Sequence, residues 1–110
     1  MINPWNIIKQ LESDNSRLFK EDVIQQNLHD SIFQEGLAMC LDALVTFGVK
    51  QVPESSKDGK GLDWNAFKEG ANLLIERERT GHAARDLILD LMHAANMEQW
   101  NDWYRRILIK

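Results

Sequence analysis

The sequence predicts an all-α fold, a compact bundle of about six helices in a single domain. Three observations carry that expectation. Apolar residues recur at helical spacing along the chain, no segment alternates with the period of a strand, and capping residues stand where the apolar runs break. At 110 residues the chain has the length of one domain, with enough for a core and little to spare.

Asn3-Pro4 has the form of an N-cap followed by proline at the first helical position, opening a short helix to about Glu12. Its inward stripe is Trp5, Ile8 and Leu11. The turn SDNSR, Ser13 to Arg17, supplies caps for a second short helix ending near Gln26, with apolar positions Leu18, Phe19, Val23 and Ile24. A longer helix is expected from about Asp30 to Phe47, burying Phe33, Leu37, Cys40, Leu41 and Leu44 on one face, with Gly48 as its stop. VKQVPESSKDGKGL, Val49 to Leu62, reads as a long, flexible, Gly-containing connection that carries Lys50, Lys57 and Lys60. Asp63 caps a fourth helix that turns Trp64, Phe67, Leu74 and Ile75 inward. A fifth follows Thr80-Gly81 with Leu87, Ile88, Leu91 and Met92. Asn96 and Gln99 form a capping box for a sixth, whose apolar side is Trp100, Trp103, Tyr104 and Ile107. The last residues, YRRILIK, are still helical and apolar. That is the expectation for a domain, residues 1–110, cut from a longer protein, although a frayed terminal helix reads the same way.

Composition narrows the function. Hydrophobic residues at 44% and charged residues at 27% are ordinary for a globular chain and argue against disorder. No apolar run approaches the ~20 residues that cross a bilayer, and the N-terminus lacks the features of a signal peptide. No membrane partner is expected. A single cysteine, Cys40, fits a reducing cytoplasm and a small core position. Net charge is −4, from 13 basic and 17 acidic side chains. Binding to nucleic acid would then depend on where the cations sit, not on their total.

Catalytic patterns are absent. His29, His82 and His93 lack Cys or acid partners at metal-ligand spacing, so no metal site is expected. Asp86 and Asp90 share a helix face as a solvated pair, and Ser55-Ser56 has no nearby base. SKDGKG, Ser56 to Gly61, is similar to the K-x-D-G-x-R signature of covalent nucleotidyltransferases but lacks the residue between Lys57 and Asp58 and the arginine after the glycine. A solvated lysine there stays protonated and forms no adenylate.

Three stretches remain as binding candidates. In RERTGHAARDLI, Arg77 to Ile88, Thr80 can cap a helix, Gly81 admits close approach to the backbone, and His82 and Ala83 add no bulk. Arg79 and Arg85 flank this turn. The same residues also describe a plain interhelical turn with solvated arginines. SDNSRLFK offers Asn15 and Ser16 beside Arg17 and Lys20, and the lysine loop offers Lys50, Lys57 and Lys60, with the same two readings.

The segment from Phe67 to Lys110 resembles the N-terminal domain of T-even-phage-type ATP-dependent DNA ligases. The likeness rests on Arg77, Arg79, Thr80-Gly81, Ala83-Ala84 and Arg105-Arg106. Upstream, Ile7 to Asn27 is similar to that family's opening pair of helices, and Lys50 with Pro53 to its basic, proline-bearing turn. The resemblance implies a domain without chemistry of its own, so not an enzyme in isolation. Such a domain grips nicked duplex DNA by phosphate and minor-groove contacts, without sequence preference, during nick sealing in DNA repair and replication. Arg105 and Arg106 join the expected contacts on this ground. It further implies partner nucleotidyltransferase and oligonucleotide-binding (OB) domains of the same chain, which would use ATP and Mg2+, and residence in the cytoplasm, the host's if phage-encoded. The alternative is a small helical protein-interaction module, a phage adaptor, presenting a tryptophan-rich surface through Trp100 and Trp103.

Overall fold

Helix punctuation follows the capping residues closely. In the computed structural model, which describes residues 4–27 and 29–109, α1 spans Pro4–Glu12 and α2 Arg17–Gln26. The cap expected at Asn3 lies outside the described residues. Ser16 caps α2 by accepting from the Phe19 N–H at 3.5 Å. Asp30 caps α3 (Ser31–Leu41) by accepting from Phe33 at 3.0 Å, and Asp63 caps α4 (Trp64–Ile75) by accepting from Ala66 at 2.8 Å. α5 spans Gly81–Ala94. The Asn96–Gln99 capping box opens α6 (Met97–Gln99), which runs through a π-helical turn (Trp100–Tyr104) into α7 (Arg105–Ile109). These last three are continuous, so the described residues form six helical rods, with no strand among them.

The core is aromatic and centred on the π-helical turn. Trp100, Trp103 and Tyr104 are all buried. Phe67 stacks on Tyr104 at 4.4 Å between centroids, Trp64 on Tyr104 at 6.4 Å, and Phe33 on Trp103 at 6.2 Å. Such stacks add to the apolar area already removed from water. The interaction module proposed from a tryptophan surface is therefore contradicted at both of its anchors. At the edge of this core the Trp64 indole N–H donates to the Glu35 carboxylate. That bond, with Lys68 at 3.1 Å, holds Glu35 below the usual carboxylate range.

Three expectations differ from the structure in this part of the fold. α1 buries Ile7 fully and leaves Trp5, Ile8 and Leu11 half-buried, so its inward face is rotated from the stripe expected. α3 stops at Leu41 instead of reaching Phe47, and Gly48 is not its stop. Asp42 ends it: its carboxylate accepts from the Leu44 N–H at 2.9 Å and its carbonyl from Val45 at 3.1 Å, a local turn that competes with helix. Phe47 and Val52 then enter the core from irregular backbone, while Leu41 and Leu44, expected inside, are 79% and 91% exposed.

The third failure is the flexible connection. Residues 51–62 are irregular but fastened along their length to residues 94–105. Ser55 and Asn101 exchange two bonds, at 2.7 and 3.0 Å, and the Trp100 indole donates to the Pro53 carbonyl at 2.8 Å. Asp58 accepts from the Met97 N–H at 2.8 Å. Gly59 and Gly61 donate to Ala95 and Ala94 at 3.0 and 2.9 Å. Gln99 and Tyr104 both hold Leu62. The polar groups of an irregular segment need partners when they are covered, and here the end of α5 and the C-terminal helix supply them.

Candidate nucleic-acid groove

α4 ends in a tight reversal. Arg77 takes the left-handed conformation, φ 62°, and the Glu78 and Arg79 N–H groups both return to the Leu73 carbonyl. Its guanidinium reaches across to the chain after α3, donating to the Thr46 carbonyl at 2.9 Å and the Thr46 hydroxyl at 2.8 Å, and also to the Leu74 carbonyl at 2.7 Å. This clamp lays residues 48–53 alongside the start of α5.

Between these two elements runs a groove of about 860 Å³. One wall is the segment Gly48 to Pro53. The other is the first half of α5, through Gly81, Ala84, Arg85, Ile88 and Leu89, and Arg105 and Ile109 of α7 close the groove. Lys50, Arg85 and Arg105 thus bring three cations from three elements to one concavity. Arg105 is half-committed: it donates to the Val52 carbonyl at 2.8 Å and lies 4.0 Å from Glu54. Lys50 and Arg85 are exposed and have no ion-pair or hydrogen-bond partner among the described residues.

The remaining candidates are distributed as follows. Arg79, Thr80, His82 and Ala83 are exposed on the turn that leads into the groove at Gly81. The Arg79 guanidinium donates to the neighbouring Glu78 carbonyl, at 3.2 Å. Thr80 is the N-cap residue of α5, but its side chain makes no cap hydrogen bond, contrary to expectation. Gly81 has φ 55° and open space where a Cβ would stand. Asn15, Ser16, Arg17 and Lys20 lie outside the groove lining; Ser16 is used as a cap and Arg17 pairs with Glu21 at 2.9 Å. Arg106 is also outside it and bridges to Glu12 of α1 at 2.8 Å. Lys57 and Lys60 are exposed on the fastened loop, at the opposite end of α5, roughly 20 Å away by helical rise. The groove therefore gathers Lys50, Gly81, Arg85 and Arg105 and leaves the others apart.

Sequence reasoning missed the clamp at Arg77 and the apolar lining. The lining did leave a signal. Ala84, Leu87, Ile88, Leu89, Leu91 and Met92 occupy more of the helix circumference than one buried stripe requires. Among the described residues no group of three or more His, Cys, Asp or Glu side chains is arranged to hold a metal ion, and no helix is long and apolar enough to cross a membrane.

Fold and groove together define an all-α domain with a concavity that has cations at its rim and apolar side chains along its wall. Among solved structures the chain is similar to "Pmar-Lig_PreS3", with a TM-score of 0.96 and 47% identity over 99% of this chain and 26% of that one. It is similar also to "Pmar-Lig_Pre.", with a TM-score of 0.95 and 48% identity over 99% of this chain and 26% of that one. The chain thus spans about a quarter of the length of two ligase-named proteins, consistent with a domain of a larger ligase. No family model matches the chain, and a comparison with curated proteins found no match.

Proposed function

We propose that this chain is the DNA-gripping domain of an ATP-dependent DNA ligase. It holds nicked duplex DNA without regard to sequence and presents the break to the nucleotidyltransferase and OB domains of the longer chain, where ATP and Mg2+ act. One observation carries the reading: Lys50, Arg85 and Arg105 line a single groove, two of them without partners in the described residues. The ligase-named neighbours support it. A ligase must seal any sequence, and phosphate contacts fix register without reading bases. The net charge of −4 opposes DNA binding overall, so the isolated chain binds weakly.

Fluorescence anisotropy with a nicked duplex at low salt tests this. If about four phosphates are engaged, log affinity falls with log salt at a slope of roughly −3.6. Lys50→Ala with Arg85→Ala should weaken binding by about tenfold or more and make the slope shallower by roughly 1.8, with Tm unchanged. A wild-type chain that ignores the duplex at low salt, or a double variant that binds it as tightly as wild type, would sink the reading.

A further inference from the structure

The cations of the groove differ in how they are carried. Arg85 rises from α5 and Arg105 from α7, but Lys50 stands on irregular chain. Gly48, Val49, Lys50 and Gln51 make no hydrogen bond with the described residues, so their span takes its position from its two ends. At the far end Arg105 and the Trp100 indole donate to the Val52 and Pro53 carbonyls. At the near end the tie is Arg77 on Thr46. We infer that Arg77 is the positioning residue of the groove: it touches no phosphate itself, and by joining the α4–α5 turn to Thr46 it holds Lys50 opposite Arg85. This rests on the DNA-gripping reading and assigns part of its affinity to a residue outside the groove lining.

Arg77 holds a left-handed φ of 62°, which residues with a Cβ rarely adopt. Backbone of this kind persists only where its surroundings hold it, and it gathers at ligand sites. The guanidinium donates to the Leu74 and Ile75 carbonyls at 2.7 and 3.3 Å, closing the end of α4, and to the carbonyl and hydroxyl of Thr46. Gly48 admits it closely: a Cβ there would stand 3.0 Å from Arg77 Cζ and Nε. A planar guanidinium reaches several acceptors in fixed directions, which a lysine ammonium cannot do. Phe47 and Val52 are buried and fix how deep the span sits, but apolar contact has no direction. The hydrogen bonds at its ends supply the direction.

Anisotropy with the nicked duplex at low salt tests it on Arg77→Gly, Arg77→Lys, Lys50→Ala and Lys50→Ala/Arg77→Gly. Glycine suits the left-handed turn, so Arg77→Gly removes the guanidinium and relieves the backbone together. Its Tm should stay within about 2 °C of wild type while duplex affinity falls about fivefold. Arg77→Lys keeps the charge and should bind as weakly as Arg77→Gly. Added to Lys50→Ala, Arg77→Gly should cost less than about 1.5-fold more, because both changes remove the same contact. Recovery of affinity in Arg77→Lys overturns the inference, since charge alone then suffices. So do losses that multiply in the double variant, which mark a separate phosphate contact by Arg77. A large fall in Tm in Arg77→Gly overturns it as well, by assigning the guanidinium to the fold as a whole. If Arg77→Gly binds like wild type while Lys50→Ala/Arg85→Ala loses affinity, the positioning role falls and the DNA-gripping reading stands. If wild type ignores the duplex, both fall.

Discussion

The fastened loop at 51–62 and the turn at 77–85 look alike in sequence: each mixes glycine, basic residues and a hydroxyl side chain. In the fold they differ in where their polar groups go. In the loop, Ser55, Asp58, Gly59 and Gly61 are bonded to residues 94–101, and Gly59 lies directly against backbone carbonyls. In the turn, Thr80 caps with no side-chain bond, Gly81 faces open space, and Arg85 has no partner among the described residues. The first region spends its polarity on holding the molecule together, and the second, beyond the Arg77 clamp, leaves it available. Candidate binding residues are separated from supporting ones by their partners, a property that residue type does not carry.

The two glycines offer the widest test of that contrast. A Cβ on Gly59 would sit 2.3 Å from the His93 carbonyl oxygen and 2.6 Å from that of Ala95. Backbone cannot yield as a flexible side chain does, so Gly59→Ala should cost about 3 kcal/mol and lower Tm substantially in calorimetry. An unchanged Tm would mean the loop is not fastened as described. Gly81→Ala meets nothing within 4 Å but must hold φ 55°. Its cost should be about 1 kcal/mol, purely conformational. Urea melts in which Gly81→Ala proves as damaging as Gly59→Ala would erase the distinction between space and backbone conformation.

A smaller effect sharpens the same contrast through pH. Burial, assisted by the Asp63 charge, pushes the Tyr104 phenol well above its ordinary 10.0. The folded chain keeps this proton where the unfolded chain gives it up. The stabilisation is therefore complete below about pH 10 and is lost as pH rises beyond it. Melts should show Tm falling above about pH 10. Tyr104→Phe should flatten that fall while lowering Tm at neutral pH by the loss of the bond to Leu62. A profile equally steep in the phenylalanine variant would assign the alkaline loss elsewhere.

Much of the architecture was legible because its signals are local. Ser16, Asp30, Asp63 and the Asn96–Gln99 box each cap within three residues, and Phe33, Phe67, Leu74 and Trp100 sit at the inward positions their spacing implies. The end of α3 was not legible, because it depends on Asp42 forming its own turn and on Phe47 finding the core from outside a helix. For the groove, Lys50, Gly81, Arg85 and Arg105 were candidates before their meeting was known. What sequence could not supply was which cations are spent: Arg77 on Thr46, Arg106 on Glu12, Arg17 on Glu21. Those pairings, apart from the last, join residues far apart in the chain.

The fastened loop also has a consequence for the order of events in folding. Helical bundles fold fast because their contacts are near in sequence. Here the bonds that fix residues 52–62 to the C-terminal helix span 37 to 53 residues. That closure must await both ends, and its entropy is lost before its bonds repay it. The helices are expected to form early and the loop to seat late, making loop closure the slow step in an otherwise quick chain.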